Sequence, residues 1–327
     1  MPIPDFQDHL VLVTGGAGFI GSHLVDALLE RGARVRVLDN FSTGQKENLS
    51  HCVDRLDLIV GDVRELEICR KACEQATFVF HEAALGSVPR SMKDPATTIS
   101  VNVAGTANVF AAARDAGVRR IVYASSSSVY GDSPKLPKRE GEEGRPMSPY
   151  ALSKVMNEEL AEVFGRAFSM ELVGLRYFNV YGARQNPDGP YAAVIPRFFN
   201  QLLGGGRPVI YGDGEQSRDF TFVAEAVAAN LLAAGAPRAA CGAAYNVAGG
   251  TRTSVAELAR LMQAALGISG QPVHEPQRPG DVLHSHADLT RSRTILGFAP
   301  QVTLQEGLLR VLPFYEAAVE ARRMRRA

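Results

Sequence analysis

Short apolar runs rich in β-branched residues recur along the chain at Leu10–Val13, Val35–Leu38, Leu58–Val60, Phe78–Phe80, Ile121–Tyr123 and Leu172–Leu175. Helix-length segments separate most of them, and continuous apolar runs are what strands covered on both faces require. The order predicts an α/β fold, a Rossmann-type doubly wound parallel sheet with helices on both sides. Right-handed crossovers carry the carboxyl ends of such strands to one edge, where ligands bind. Asp39, Asp62, Ala83, Ser126 and Asn179 each follow one of these runs, so the informative residues gather there.

After Arg176 the pattern turns to segments punctuated by proline and glycine, such as Gly204-Gly205-Gly206-Arg207-Pro208 and Gly212-Asp213-Gly214. A smaller α/β lobe is expected from here. The division is not clean, because Val223–Ala234 reads as a helix and Ala244–Val247 as another strand of the sheet. The expected boundaries are 1–176 for the sheet domain, with about 217–248 returning to it, and 177–216 plus 249–327 mainly for the lobe. The segments Pro95–Ala116 and Ser148–Phe168 read as helices, and the basic tail Arg322–Arg326 as solvated and unstructured.

Charge narrows the function. Thirty-five basic and thirty-five acidic side chains among 327 residues leave a formal net charge of zero. No field of one sign would gather nucleic acid or an anionic membrane, which favours small-molecule chemistry. The first nine residues carry Asp5 and Asp8 and lack a basic stretch leading into a long apolar core, and no later stretch reaches membrane-spanning length. The expected location is the cytoplasm. Four cysteines, Cys52, Cys69, Cys73 and Cys241, are too few for a disulfide scaffold and read as reduced thiols. Neither they nor the seven histidines show metal-ligand spacing, and His284 and His286 have no third ligand in reach along the chain, so no metal is expected.

Thr14-Gly15-Gly16-Ala17-Gly18-Phe19-Ile20-Gly21 lies between the first apolar run and a helical stretch. Gly15 serves a tight turn, Gly18 a close approach of backbone to ligand, and Gly21 close packing of helix on sheet. The helix start then offers unpaired N–H groups and a positive dipole end to a pyrophosphate. Eighteen residues past Gly21 stands Asp39, whose carboxylate can accept from the adenosine ribose hydroxyls and would repel a 2′-phosphate. The predicted cofactor is NAD rather than NADP.

Pro149-Tyr150-Ala151-Leu152-Ser153-Lys154 opens a helix, with Ser148 as N-cap and Pro149 in the first turn. Tyr150 and Lys154 therefore share a face one turn apart. A lysine ammonium there, beside a positive nicotinamide, is expected to lower the Tyr150 pKa and make the phenol a general base. Upstream, Ile121–Tyr123 runs into Ala124-Ser125-Ser126-Ser127-Ser128-Val129-Tyr130-Gly131 and puts hydroxyls at the same edge.

With these pieces the chain resembles the extended short-chain dehydrogenase/reductases, in their nucleotide-sugar epimerase and dehydratase branch. Further matching segments are Gly61-Asp62-Val63, His81-Glu82-Ala83-Ala84, Leu175-Arg176-Tyr177-Phe178-Asn179-Val180-Tyr181-Gly182, Ser217-Arg218-Asp219-Phe220 and Arg278-Pro279-Gly280-Asp281. The resemblance implies a Ser126, Tyr150 and Lys154 triad, with Ser127 next in line for the serine. The cofactor set is Gly15, Gly18, Phe19, Ile20, Gly21, Asp39, Asn40, Ser42, Gly44, Asp62, Val63, Ala83, Ala84, Tyr150 and Lys154. The substrate set is Ser87, Arg90, Ser126, Asn179, Val194, Tyr211, Arg218, Arg278, Asp281 and Ser285. On this resemblance the sheet domain holds NAD and the lobe holds a UDP-sugar.

Family members that eliminate water or carbon dioxide carry acidic residues just after the catalytic serine; here Ser127 and Ser128 stand there. What remains is 4-epimerisation through a keto sugar with NAD regenerated. Where the family has a tyrosine at the position of Ser285 only unacetylated hexoses turn over, so Ser285 implies UDP-N-acetylglucosamine interconverting with UDP-N-acetylgalactosamine. The alternatives are a 4-epimerase for UDP-glucose or UDP-glucuronate, with Arg90 meeting the carboxylate, or a non-catalytic dinucleotide binder. The resemblance also implies a homodimer paired through the helices Pro95–Ala116 and Ser148–Phe168. After Phe222-Val223 the family's aspartate is replaced by Ala224, which is expected to loosen a helix cap.

Overall fold

A computed structural model describes residues 3–187, 192–276 and 283–326. Its strands are β1 (Leu10–Thr14), β2 (Arg34–Asp39), β3 (Leu56–Val60), β4 (Phe78–His81), β5 (Arg120–Ser126), β6 (Leu172–Tyr177), β7 (Val180–Tyr181), β8 (Val209–Tyr211), β9 (Ser217–Asp219), β10 (Thr221–Phe222), β11 (Ala243–Val247), β12 (Arg252–Ser254) and β13 (Val273–Glu275). The helices are α1 (Phe19–Glu30), α2 (Leu66–Cys73), α3 (Val88–Lys93), α4 (Pro95–Ile99), α5 (Gly105–Asp115), α6 (Pro149–Phe168), α7 (Val194–Leu203), α8 (Val223–Gly235), α9 (Val255–Leu266) and α10 (Leu304–Arg326).

Seven strands form one parallel sheet in the order β11-β6-β5-β4-β1-β2-β3. The six apolar runs each lie within one of its strands, and the Ala244–Val247 run supplies the seventh beside β6. Side chains alternate between the two faces, as the pleat requires. Val11, Val13, Val35, Val37, Phe78 and Phe80 pack under α1 and α8 on one side. Leu12, Val79, Ile121, Tyr123 and Leu172 meet α2, α5 and Ala161 of α6 on the other. A strand buried on both faces has no polar side to display, which is why the runs are continuous in sequence.

A separate apolar cluster joins α7, α9 and α10 through Phe198, Phe199, Leu258, Met262, Leu308, Val311 and Tyr315, with the Phe199 and Tyr315 rings stacked at 4.6 Å. The short pairs β7–β10, β9–β12 and β8–β13 lie outside the main sheet.

Two local expectations change. The segment Pro95–Ala116 is α4, a π-helical turn Ser100–Ala104, and α5 rather than one regular helix. The basic tail continues α10 to Arg326, where Arg323 donates to the Leu203 carbonyl at 2.8 Å and Arg322 to Asn200 at 3.3 Å. Helical backbone and these two docked side chains replace the expected solvated coil. At Ala224, α8 starts without a side-chain cap, and Glu225 instead turns to accept N–H groups of Gln301 and Val302 at 2.7 Å each. No helix among the described residues is long and apolar enough to cross a membrane.

Candidate active site

The carboxyl edge of β1, β2, β4, β5 and β6 opens into a cleft of about 900 Å³. At one end the chain turns from β1 into α1. Gly15 has a φ of +69°, and a Cβ there would come 2.7 Å from the Ala83 nitrogen. A Cβ at Gly21 would lie 2.2 Å from the Gly15 carbonyl oxygen, so the third glycine lets helix and turn touch. Among the described residues no side chain caps α1 and no acid stands in its first turn. The N–H groups that α3, α6 and α9 direct to Ser87, Ser148 and Ser254 are in α1 left facing the cleft.

Asp39 ends β2, buried, and its carboxylate accepts from the Ala17 N–H at 2.9 Å and the Phe41 N–H at 2.7 Å. Burial pushes its pKa up and the two N–H groups pull against that. Gly44 packs on it so closely that a Cβ would lie 2.9 Å from both carboxylate oxygens. Asp62 accepts from Asn40 at 2.8 Å and from Arg64 at 2.7 Å, and the Arg64 contact holds its pKa down to about 2.

All fifteen residues of the cofactor set line this cleft. Of the substrate set, Ser87, Arg90, Ser126 and Asn179 line it as well. Val194, Tyr211, Arg218 and Ser285 do not; Val194 begins α7 just beyond the lining residues Ala192 and Ala193. Arg278 and Asp281 lie outside the described residues.

The other end of the cleft is set by α6. The Ser148 hydroxyl accepts the Ala151 N–H at 3.1 Å and Pro149 opens the helix, so its first turn forms as its sequence requires. Lys154 is buried and donates to the Ala124 carbonyl of β5 at 2.8 Å, with its ammonium 6.0 Å from the Tyr150 ring centroid. The four serines differ in their surroundings. Ser125 donates to Glu158 at 2.5 Å, away from Tyr150. Ser126 ends β5 and accepts from the Ser128 backbone at 3.2 Å and the Ser128 hydroxyl at 2.9 Å, and it lines the cleft together with Tyr150.

Among the protein's own groups the Tyr150 pKa moves opposite to the expected direction: burial raises it and Ser126 opposes. The cause is desolvation, which also pushes Lys154 down to about 8 against Glu82 and Glu158.

Two residues were given no role by the sequence, although Glu82 stands in one of the matching segments. Glu158, one turn beyond Lys154, pairs with the buried Arg176 through two bonds of 2.9 and 2.7 Å; Arg176 also contacts Glu143 and the Tyr130 hydroxyl. The spacing 150, 154, 158 on one helical face was the available signal for Glu158. Glu82 lies in the cleft wall beside Tyr177 and Lys154, and only the sheet order places it there.

On the lobe side, the segment holding Ser285 runs alongside β9. The Ser285 N–H donates to the Ser217 carbonyl at 3.0 Å, and Arg218 donates to the Ser217 and Leu283 carbonyls at 3.0 and 3.2 Å. His284 meets the Ser217 hydroxyl at 3.0 Å and His286 meets the buried Asp219 at 3.1 Å. Asn179 donates to the Asp219 carbonyl at 3.1 Å. The Arg197 guanidinium lies 5.1 Å from the Tyr211 ring centroid. Elsewhere, Asp26, His51 and Cys52 bring three potential metal donors together, but Asp26 already meets His51 at 2.7 Å and Arg184 at 2.8 Å.

Residues 11–248 match the family model described as the NAD dependent epimerase/dehydratase family. The chain belongs to that family. The UDP-glucose 4-epimerase of Mycolicibacterium smegmatis is 40% identical over 308 residues, 93% of this chain and 97% of the other. The UDP-N-acetylglucosamine 4-epimerase of Methanobrevibacter ruminantium, solved with UDP-N-acetylmuramic acid, has a TM-score of 0.91 at 37% identity over 95% of this chain and 99% of its own. The UDP-glucose 4-epimerase of Thermus thermophilus, in complex with NAD, has a TM-score of 0.85 at 35% identity over 95% and 100%. NAD is the cofactor of the chain, which is an isomerase. The residues fit that cofactor: an uncapped helix start over glycines with no room for a Cβ suits a pyrophosphate, and the Asp39 carboxylate suits a ribose.

Proposed function

We propose that the chain is a UDP-sugar 4-epimerase whose preferred pair is UDP-N-acetylglucosamine and UDP-N-acetylgalactosamine. The observation that carries the reaction type is the composition of the cleft around Tyr150. Ser126 and Tyr150 line the same cleft, Lys154 is anchored to β5 beside them, and Ser127 and Ser128 supply no acid for an elimination. The chemistry that bound NAD would supply is reversible hydride transfer at carbon 4 of the sugar.

The chain's own groups do the rest. Ser126 and Tyr150 hold the 4-hydroxyl, and the phenol of Tyr150 takes its proton and gives it back. Lys154 holds the nicotinamide ribose and, once protonated, favours the phenolate. With no acid beside the serine, the keto sugar is left to turn over and be reduced on its other face.

Arg218 supports the diphosphate assignment, since a guanidinium matches phosphate in bidentate geometry, and Asn179, Arg278 and Asp281 are proposed beside it with Tyr211 stacked on the base. The choice of the acetylated sugar rests on the family resemblance at Ser285, which stands outside the lining of the cleft and whose small side chain would leave space at carbon 2 of a bound sugar. The Methanobrevibacter neighbour agrees with this choice, whereas the Mycolicibacterium relative favours UDP-glucose as the second reading. Incubating the purified protein separately with UDP-N-acetylglucosamine, UDP-glucose and UDP-glucuronate, then separating the epimers by capillary electrophoresis, tests the substrate and the reaction. Faster conversion of the acetylated sugar is the expected result; conversion of UDP-glucose alone would overturn the substrate, and conversion of neither sugar nor UDP-glucuronate the reaction.

The proposed state is a cytoplasmic homodimer. Leu152, Met156 and Val163 are 42, 38 and 47% exposed along α6, an apolar stripe that a second α6 would cover. A monomeric mass in solution scattering at micromolar concentration would count against it.

A further inference from the structure

Glu82 is a carboxyl in the wall of the cleft that the chemistry above does not use. It follows β4, where its N–H donates to the Thr14 carbonyl at 3.1 Å. Its Oε1 accepts from the Tyr177 hydroxyl at 2.8 Å, and the same hydroxyl accepts from the Asn230 amide at 2.7 Å. The direction of this chain of bonds is forced. The amide nitrogen of Asn230 can only donate, so the phenol proton of Tyr177 must go to Glu82. Oε1 can accept whether or not the other oxygen carries a proton, so Glu82 can change charge without rearranging its neighbours.

The charged or titratable groups facing Glu82 are Lys154 from α6 and Tyr177 from β6; Asn230 from α8 is polar and uncharged. A carboxyl and an ammonium thus share the end of the cleft that takes the nicotinamide in the reading above, on which this inference rests. Oxidised nicotinamide is a cation and the reduced ring is neutral. A carboxylate beside it stabilises the oxidised form and an ammonium the reduced form. An epimerase has to leave both forms within reach, since one held too firmly halts the cycle halfway.

We propose that Glu82, held by Tyr177 and Asn230, opposes Lys154 and sets the balance between oxidised and reduced nicotinamide in this cleft. Burial, working against Tyr177, Lys154 and Asn230, raises the Glu82 pKa to about 7, so the balance shifts toward the reduced form as pH falls through neutrality.

The test is the midpoint potential of the nucleotide in the holoenzyme, measured by equilibration with a redox dye and absorbance at 340 nm. Glu82→Gln keeps the acceptor for Tyr177 and removes the charge. At pH 8 it should shift the equilibrium about tenfold toward the reduced form, which is ~30 mV for a two-electron couple. At pH 6, where Glu82 is largely protonated, the difference between variant and wild type should shrink. Equal potentials at pH 8 would overturn the proposal. Should the variant not fold, the wild type is read between pH 6 and 7, below the range in which Lys154 loses most of its charge: a constant bound-minus-free potential there would overturn it as well. The potential needs no turnover, so a shifted potential in a protein that epimerises no UDP-sugar would keep this inference and sink the reaction instead.

Discussion

Tyr150 and Lys154 stand one turn apart on α6, and the Lys154 ammonium reaches across to the Ala124 carbonyl of β5 at 2.8 Å. That bond ties the helix carrying the proposed base to the strand that ends at Ser126. The hydroxyl of one element and the phenol of the other are therefore brought to the same cleft by the fold rather than by the substrate. Tyr150→Phe removes the proton acceptor and leaves this scaffold in place. It should still bind NAD and UDP-sugar while losing ~10²–10⁴-fold in kcat, the usual worth of a positioned general base. Near-normal turnover would mean that another group takes the proton.

Asp39 has two tasks, since it accepts the Ala17 and Phe41 N–H groups as well as facing the cleft. Asp39→Asn keeps an acceptor for those loops but removes the charge. It should weaken NAD and relax discrimination against NADP, read by titrating both nucleotides. Unchanged affinities for both would put the adenosine ribose elsewhere.

Ser285→Tyr tests the sugar. If Ser285 faces carbon 2, the new ring fills the acetamido space, and overpacking a fixed site costs roughly 1–3 kcal/mol. At tenfold per ~1.4 kcal/mol, kcat/KM for UDP-N-acetylglucosamine should fall roughly five- to 150-fold relative to UDP-glucose. An equal loss on both sugars would indicate general disruption, and an unchanged ratio would place Ser285 outside the pocket.

Glu158→Ala tests the network behind the site. It leaves Arg176, whose side chain is 8% exposed, with Glu143 and Tyr130 but without its two-bond partner. An orphaned buried donor costs about 1–3 kcal/mol, so chemical denaturation should show a loss of that size. The same variant frees the Ser125 hydroxyl next to Ser126 and should lower kcat along with stability. Unaltered stability would mean that solvent replaces Glu158 at no cost.

Local signals carried most of the sheet and the cofactor end of the cleft. A strand buried on both faces must be apolar throughout, a turn that meets Ala83 at van der Waals limits must be glycine, and a serine before Pro149 caps the helix it precedes. Each leaves its mark on a few consecutive residues, so each is legible in the order of residues. Tertiary structure decided what depends on remote partners. Glu82, Tyr177 and Asn230 are far apart along the chain and meet because β4, β6 and α8 pack at one end of the cleft. The segment of Ser285 lies beside β9 through backbone bonds that no motif announces. Spacing put Lys154 next to Tyr150, yet the sign of the Tyr150 shift came from burial, and burial is a property of the whole fold rather than of any stretch of sequence.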